Sequence, residues 1–194
     1  MYYCIGLQNP GKEYEQTPHN IGGYLLKHFY DEHDHFFKDL REESKRKRKV
    51  TEGMISDSHM TLIFPTTFMN TSGTCVSDVE DPEKLVVLYD DIDLPFGEVR
   101  VSFDRGDGGH NGVKDIIKVL GTRSFIRVRI GVSPTDWFGN PRKPKGKDAV
   151  SNYLTKKKIS KKYAMTLPDV ALRVEEALLT IVREGRVKAM NKIN

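Results

Sequence analysis

The feature that most constrains the fold is an unbroken apolar run, Leu-Val-Val-Leu, between Lys84 and Tyr89. A run with no polar residue at alternate positions is typical of a central strand that is covered on both faces. Asp90 follows it, which puts a carboxylate just beyond the predicted carboxyl end of this strand. Because open α/β sheets bind ligands outside the carboxyl ends of their strands, Asp90 is a candidate site residue.

Segments on either side of this run alternate between strand and helix patterns. Strands are predicted over residues 1–7, 99–103 and 125–132, and a hairpin with its turn at Asp57 and Ser58 over 46–64. Helices are predicted over residues 21 to about 40, 113–120, and from Pro168 to a C-cap at Gly185. Residues 137–147 are rich in Pro, Gly and Lys without periodicity, which predicts a mobile loop.

The length of 194 residues predicts a single domain that spans residues 1–194. The apolar runs are far shorter than the roughly 18 residues that a membrane span needs, and the first residues contain no basic leader. We therefore expect a soluble, cytoplasmic protein. Cys4 and Cys75 are too few for a disulfide framework and are interpreted as reduced structural thiols. A catalytic thiol is disfavoured because Cys4 lies in a strand-like apolar run.

The charge distribution is uneven, although the net charge is only +4. Basic residues are concentrated in three stretches, at residues 45–49, 142–147 and 156–162. Any one stretch alone is best interpreted as a solvated surface segment. Three together raise the prospect of contact with nucleic-acid phosphates.

Familiar catalytic signatures are missing from the sequence. It contains no G-x-S-x-G elbow, no Walker loop and no H-E-x-x-H motif. His28, Glu32 and His35 share one predicted helix face, but the interleaved phenylalanines favour a solvated or partly packed face over a metal site. The glycines at residues 106–109 do not complete a dinucleotide-binding loop, because Asn111 stands where the last glycine is required.

What recurs instead is the asparagine side chain in turn-forming or glycine-containing stretches, at Asn9, Asn20, Asn70 and Asn111. An uncharged amide offers two donors and one acceptor, so several around one pocket can hold an ester carbonyl, a peptide backbone and a water. Each amide taken alone is better explained as a turn or cap residue. For Asn20 we favour the capping role, at the start of the helix that follows it.

Five blocks of the sequence resemble the bacterial-type peptidyl-tRNA hydrolases, in the family's order and with family-like spacing. They lie at residues 5–20, 65–73, 90–97, 108–112 and 125–131. The resemblance implies an α/β fold, in which helices flank both faces of a single twisted, mostly parallel mixed β-sheet. It also implies a monomeric enzyme without metal or cofactor.

The activity implied by the resemblance is hydrolysis of the ester between a peptide and the 3′ end of tRNA, which recycles tRNA from prematurely released peptidyl-tRNA. His19 stands at the family's base position, and an imidazole with a pKa near 6.5 can deprotonate water at cellular pH. Asp90 stands where a carboxylate orients the imidazole ring. Asp91 and Asp93 are expected to be structural or solvent-facing.

Substrate contacts follow from the same resemblance. Asn9, Asn70 and Asn111 are expected to contact the peptide, the 3′-terminal nucleotide or the attacking water. Met69 and Tyr14 are expected to line the cleft. The acceptor arm of the tRNA is expected to lie against the basic stretches.

The phosphate clamp of the family pairs a Lys with an Arg, and here the match is incomplete. Arg129 fits the Arg, whereas Ser102 occupies the Lys position. Arg105 or Arg100 is expected to supply the missing charge, and Arg100 shares a strand face with Ser102 if the segment alternates with period two.

Two other classes of protein remain as alternatives. One is a catalytically idle RNA-binding relative, which retention of His19, Asp90 and the three site amides disfavours. The other is a flavodoxin-like nucleotide-binding module with a phosphate loop after the first strand. Pro10 lies in that loop and lacks an N–H to donate to a phosphate.

Overall fold

The computed structural model describes residues 1–194 and is built on one seven-stranded mixed sheet, with strand order β2-β3-β4-β1-β5-β7-β6. The strands are Tyr2–Gly6 (β1), Arg41–Glu43 (β2), Arg48–Ile55 (β3), Ser58–Pro65 (β4), Leu85–Pro95 (β5), Val99–Phe103 (β6) and Ile126–Ser133 (β7). β1 pairs in parallel with β4 and β5, and β5 with β7. β2, β3 and β6 add antiparallel edges. The expected α/β fold is confirmed, with the parallel pairs in the centre of the sheet.

Helices cover both faces of this sheet. They are Ile21–Glu32 (α1), Asn111–Leu120 (α2), Lys147–Lys156 (α3), Lys161–Ala164 (α4), Leu167–Glu184 (α5) and Arg186–Ile193 (α6). A 3-10 segment, Met69–Val76, packs beside α2. No helix combines the length and apolarity that crossing a bilayer requires.

The apolar run of β5 is buried from both sides, as its composition predicts. Val86 and Leu88 pack into the core formed with α1, α5 and α6, while Val87 and Tyr89 pack into the core under α2. Successive side chains of a strand point to opposite faces, so one short segment contributes to both cores.

The predicted helix over residues 21 to about 40 is wrong in its second half. α1 ends at Glu32, and a 3-10 turn, Asp34–Phe36, follows. The chain then joins the edge of β3, where Phe37 bridges Gly53 and the Lys38 N–H donates to the Glu52 carbonyl. These backbone hydrogen bonds replace the helical ones. The spacing of apolar residues cannot predict them, because their partners lie in another segment of the chain.

The remaining boundaries agree more closely with the sequence. The hairpin forms from β3 and β4, and Gly185 ends α5 by donating its N–H to the Ile181 carbonyl. The sequence patterns missed α3 and α6. Both are short, and α3 is mostly polar, so neither has a strong apolar stripe.

Candidate active site

His19 and Asp90 meet at the carboxyl edge of the parallel strands. His19 lies in a 3-10 turn, Pro18–Asn20, directly before α1, and its Nδ1 is 2.8 Å from Asp90 Oδ1. Asp90 lies inside β5 rather than just beyond its end, which corrects the sequence-based placement. β1 ends at Gly6, opposite Leu88, while β5 continues beside β7. Asp90 therefore occupies a strand position that has lost its β1 neighbour.

His110 is a third member of this cluster that the sequence analysis did not single out. Its Nε2 lies 2.9 Å from the same Asp90 Oδ1, and its Nδ1 accepts from the Val113 N–H as the N-cap of α2. The rings of His19 and His110 lie 4.8 Å apart. The missed signal was the position of His110 three residues before the predicted start of this helix at residue 113, because side chains that accept a hydrogen bond are favoured at a helix N-terminus.

These contacts define which ring nitrogen carries the proton when both imidazoles are neutral and Asp90 is ionised. His110 Nδ1 accepts from a backbone N–H, so its proton is on Nε2 and is donated to Asp90. His19 likewise donates from Nδ1 to the carboxylate. The remaining nitrogen of His19, Nε2, therefore carries the lone pair of a base.

Burial and charge act in opposite directions on this pair. Burial favours the neutral carboxyl, but the facing His19 and His110 outweigh it and hold the pKa of Asp90 well below its usual range. Burial also disfavours a charged His19, but the charge of Asp90 and the hydrogen bond to it outweigh burial and raise the pKa of His19. The arrangement stabilises the imidazolium that forms when His19 takes a proton.

Asn9 is held rigidly at the rim of the site. Its Oδ1 accepts from the Met69 N–H at 2.8 Å. Its own N–H donates to Asn20 Oδ1, and its carbonyl accepts from Asn20 Nδ2. The Asn20 side chain thus binds the backbone of Asn9, and it makes no capping hydrogen bond to α1, so the expected capping role was wrong. The Asn9 Nδ2 group stays available as a donor.

The other predicted substrate residues differ in burial and in their partners within the chain. Met69 is buried, and a Cβ on Gly112 would lie 2.7 Å from its Sδ, so Met69 packs tightly against the start of α2. Asn70 and Asn111 are exposed and their amides have no partner within the chain. Tyr14 is half-buried in the loop before His19, with its backbone bound to Thr17.

His19, Asp90 and His110 are also the residues whose atoms are best grouped to hold a metal, since their ligand atoms lie within 4.8 Å of one another. A metal ligand must present an unprotonated nitrogen. Both imidazoles instead direct N–H groups at Asp90 Oδ1, which accepts both hydrogen bonds. The donor pattern favours a hydrogen-bonded triad over a metal centre.

The residues considered for the phosphate clamp lie around β6 and β7. Arg129 Nε donates to Asp91 Oδ2 at 2.7 Å, and both side chains are mostly buried. Ser102 pairs across the strands with Arg127, which is fully buried and donates to backbone carbonyls. Asp91 is therefore a structural partner of Arg129, in keeping with the expectation for that carboxylate.

Two arginines were candidates to replace the missing lysine, and their surroundings differ. Arg100 lies opposite Arg129, but its guanidinium is bound to Glu98 and to the Asn194 carbonyl. Arg105 is exposed, and its side chain makes no ion pair or hydrogen bond. Arg105 is thus the cation that is free to meet an external anion.

The basic stretch at residues 45–49 is divided: its two arginines are used within the fold, whereas its three lysines are exposed. Arg48 is 5% exposed, binds Asp78 with both terminal nitrogens and also donates to the Cys75 carbonyl. Arg46 pairs with Asp78 as well. The stretch at 142–147 is mostly exposed, which leaves its charge accessible to a partner.

Comparisons with known proteins match this sequence and fold along the whole chain, and they all point to one family. The family model described as peptidyl-tRNA hydrolase matches residues 3–194. A peptidyl-tRNA hydrolase of Thermodesulfovibrio yellowstonii is 34% identical over 100% of this chain and 99% of its own, and one of Clostridium tetani is 36% identical over 100% and 97%. The crystal structure of peptidyl-tRNA hydrolase from Acinetobacter baumannii superposes with a TM-score of 0.85 at 28% identity, covering 100% of this chain and 94% of that one.

Proposed function

Because the chain belongs to the peptidyl-tRNA hydrolase family, we propose that His19 activates the water that cleaves the ester between the peptide and the 3′ end of tRNA. The activity itself, hydrolysis of peptidyl-tRNA, follows from the family. The observation that carries the assignment to His19 is the hydrogen bond from its Nδ1 to Asp90, which leaves Nε2 as the base. The products, free tRNA and peptide, recycle tRNA from peptidyl-tRNA released prematurely.

The proposed reaction needs one base and one acid, and His19 serves as both. Nε2 takes a proton from water as its oxygen attacks the ester carbonyl, which gives a tetrahedral intermediate and an imidazolium. When the intermediate collapses, the ester C–O bond breaks and the imidazolium returns a proton to the ribose oxygen of the tRNA. Asp90 stabilises the transient imidazolium through its charge and hydrogen bond.

Asn9, Asn70 and Asn111 are proposed as the polar lining of the substrate cleft. Asn9 is fixed by its bonds to Met69 and Asn20, so its Nδ2 donor is oriented before substrate arrives. Preorganised donors of this kind lower the barrier because they need no rearrangement as charge develops on the ester oxygen. Met69 and Tyr14 are proposed to wall the cleft beside them.

His110 extends this proposal as a positioning residue. It binds the same oxygen of Asp90 that orients His19. Two N–H donors on one oxygen restrict rotation of the carboxylate, and they keep it ionised in a buried site. We assign His110 no direct contact with substrate.

The acceptor arm is proposed to bind through Arg129 and Arg105, with Arg105 replacing the lysine that Ser102 does not supply. The pairing of Arg129 with Asp91 uses only Nε, so the two terminal nitrogens of Arg129 have no partner within the chain. The exposed, unpaired guanidinium of Arg105 supports this choice over Arg100. His19, Asp90 and His110 bind one another without a residue from a second copy, so we propose a monomer as the working unit. A substrate that arises in translation supports action in the cytoplasm.

The test is a hydrolysis assay with an N-blocked aminoacyl-tRNA, following release of free tRNA by the wild type and by His19→Ala. The variant should lose at least about 100-fold in kcat, since general base catalysis contributes about 10²–10⁴-fold. Equal rates would exclude His19 as the base. A wild type that binds tRNA but does not hydrolyse it would instead support the idle RNA-binding alternative.

A further inference from the structure

Trp137 and Phe138 are the two most exposed large apolar side chains of the chain, at 96% and 86% exposure. They are adjacent, at the tip of the loop between β7 and α3. Two neighbouring aromatic rings left fully in water are unusual on a monomer surface and mark a contact site. The catalytic proposal uses neither residue.

The loop tip is held in shape by hydrogen bonds within the loop. Asp136 Oδ1 accepts from the N–H groups of Phe138 and Asn140, and the Asp136 N–H donates to the Asn140 carbonyl. At the base of the loop, Thr135 pairs with Pro141. The rings are therefore presented on a constrained turn, so less backbone freedom is lost when a ligand binds.

The position of the loop relates it to the catalytic cluster. It leaves β7 at the carboxyl edge of the sheet, the same edge that carries Asp90 on the neighbouring β5. It leads into α3, which packs against the Pro18–Asn20 turn that carries His19. The loop is therefore connected at both ends to elements that border the cleft.

The charge around the aromatic pair identifies the kind of partner. Arg142, Lys145 and Lys147 follow the tip within ten residues and are exposed. Lys143 is also exposed, and pairs with Asp93. Aromatic rings flanked by cations suit unpaired nucleobases with their phosphates, because bases stack on the rings while the cations neutralise the backbone.

We propose that Trp137 and Phe138 form a stacking platform for unpaired nucleobases in the single-stranded 3′ segment of the tRNA substrate. The inference rests on the proposed function, since that segment carries the ester to be cleaved. The platform holds the 3′ strand as it enters the cleft. It contributes to substrate affinity and takes no part in the chemical step.

The chain offers a direct probe, because Trp137 is its only tryptophan. We would titrate the protein with uncharged tRNA and with the same tRNA trimmed of its unpaired 3′ nucleotides, and record tryptophan fluorescence. A base stacked on the indole should change the emission with the intact tRNA and not with the trimmed one. Equal changes with both, or none with either, would overturn the proposal.

Affinity provides a second measurement that does not depend on fluorescence. Trp137→Ala combined with Phe138→Ala should weaken tRNA binding by roughly 10-fold or more and raise KM with kcat unchanged. The salt dependence of binding should not change, because no phosphate contact is removed. Trp137→Phe, which keeps a ring for stacking, should retain most of the affinity.

Phe36→Ala is the matched control. Phe36 is an exposed aromatic, 49% accessible, beyond the far end of α1, which is about 18 Å long and starts beside His19. This variant should bind tRNA normally. Normal tRNA affinity in the Trp137→Ala, Phe138→Ala double variant would overturn the proposal. If the double variant then differed from the wild type in self-association, Trp137 and Phe138 would be assigned to a contact between copies of the protein. If the wild-type protein itself did not hydrolyse peptidyl-tRNA, that result would count against the proposed function and not against the stacking platform alone.

Discussion

His110 Nε2 lies 2.9 Å from Asp90 Oδ1, the same oxygen that His19 Nδ1 approaches to 2.8 Å. One buried carboxylate oxygen thus accepts from two imidazoles. We therefore expect the orientation of His19 to depend on His110, which lies at the N-terminus of α2 and far away in the sequence. This shared oxygen leads to the first two predictions.

Asp90→Asn should change the pH profile of hydrolysis as well as its rate. The carboxylate raises the pKa of His19 above 6.5, so kcat/KM of the wild type should fall as pH drops through that raised value. Without it, burial acts alone and lowers the His19 pKa, so the acid limb should move to lower pH. The rate should also fall by about 10²–10⁴-fold as ring orientation is lost. An acid limb that stays in place would show that Asp90 does not set this pKa.

His110→Ala should lower kcat by roughly 10-fold and leave KM nearly unchanged, because Asp90 loses one of two donors that fix it. The substitution also removes the N-cap of α2, which costs about 1 kcal/mol. His110→Asn separates the two effects, since asparagine is a good N-cap but is shorter. It should restore the melting temperature and not the rate. Recovery of both would contradict the positioning role, and the exposed His35→Ala serves as a neutral control.

Asn20→Ala and Asn70→Ala should separate stability from activity. The first leaves the Asn9 N–H and carbonyl without partners, so it should cost about 1–3 kcal/mol of unfolding free energy and also lower activity. The second removes an exposed amide with no internal partner, so its stability should change by less than about 0.5 kcal/mol. Its hydrolysis rate should nevertheless fall by about 100-fold. Urea unfolding and the tRNA release assay measure the two quantities, and a stable Asn20→Ala would refute the bracing role.

Gly22→Ala should destabilise the fold by about 1–3 kcal/mol. A Cβ at Gly22 would lie 2.3 Å from the Leu88 carbonyl oxygen, so α1 would have to move away from the sheet. That shift would also displace the turn that carries His19. Gly106→Ala is the control, since a Cβ there meets nothing within 4 Å. Similar urea midpoints for the two variants would show that α1 tolerates the displacement.

Arg105→Ala should weaken tRNA binding and reduce the slope of log K against log salt by about one, because one phosphate contact is lost. Arg41→Ala is the matched control. Arg41 is an arginine on β2, at the opposite edge of the sheet from β6, and it is paired with Glu52. The tRNA affinity of both variants, measured at several salt concentrations, distinguishes Arg105→Ala from the control. An unchanged slope for Arg105→Ala would remove this residue from the interface.

The sequence predicted the sheet better than the helices, for a physical reason. The run that precedes Asp90 is buried on both faces, so its composition alone indicates a central strand. The end of α1 at Glu32 depends on hydrogen bonds between residues 37–38 and the edge of β3. Such long-range pairing leaves no periodic signal in the segment itself.

For the candidate site, too, some features could be predicted from the sequence and others required the tertiary structure. The resemblance of the sequence motifs was sufficient to propose His19, Asp90 and the amides at residues 9, 70 and 111 as site residues, and the contact between His19 and Asp90 agrees with it. Only the tertiary structure decided which side chains bind each other. It made Asn20 a brace for Asn9 and brought His110 to Asp90. Hydrogen bonds form between atoms that are close in space, and the folded chain alone brings elements 20 to 71 residues apart to within 3 Å.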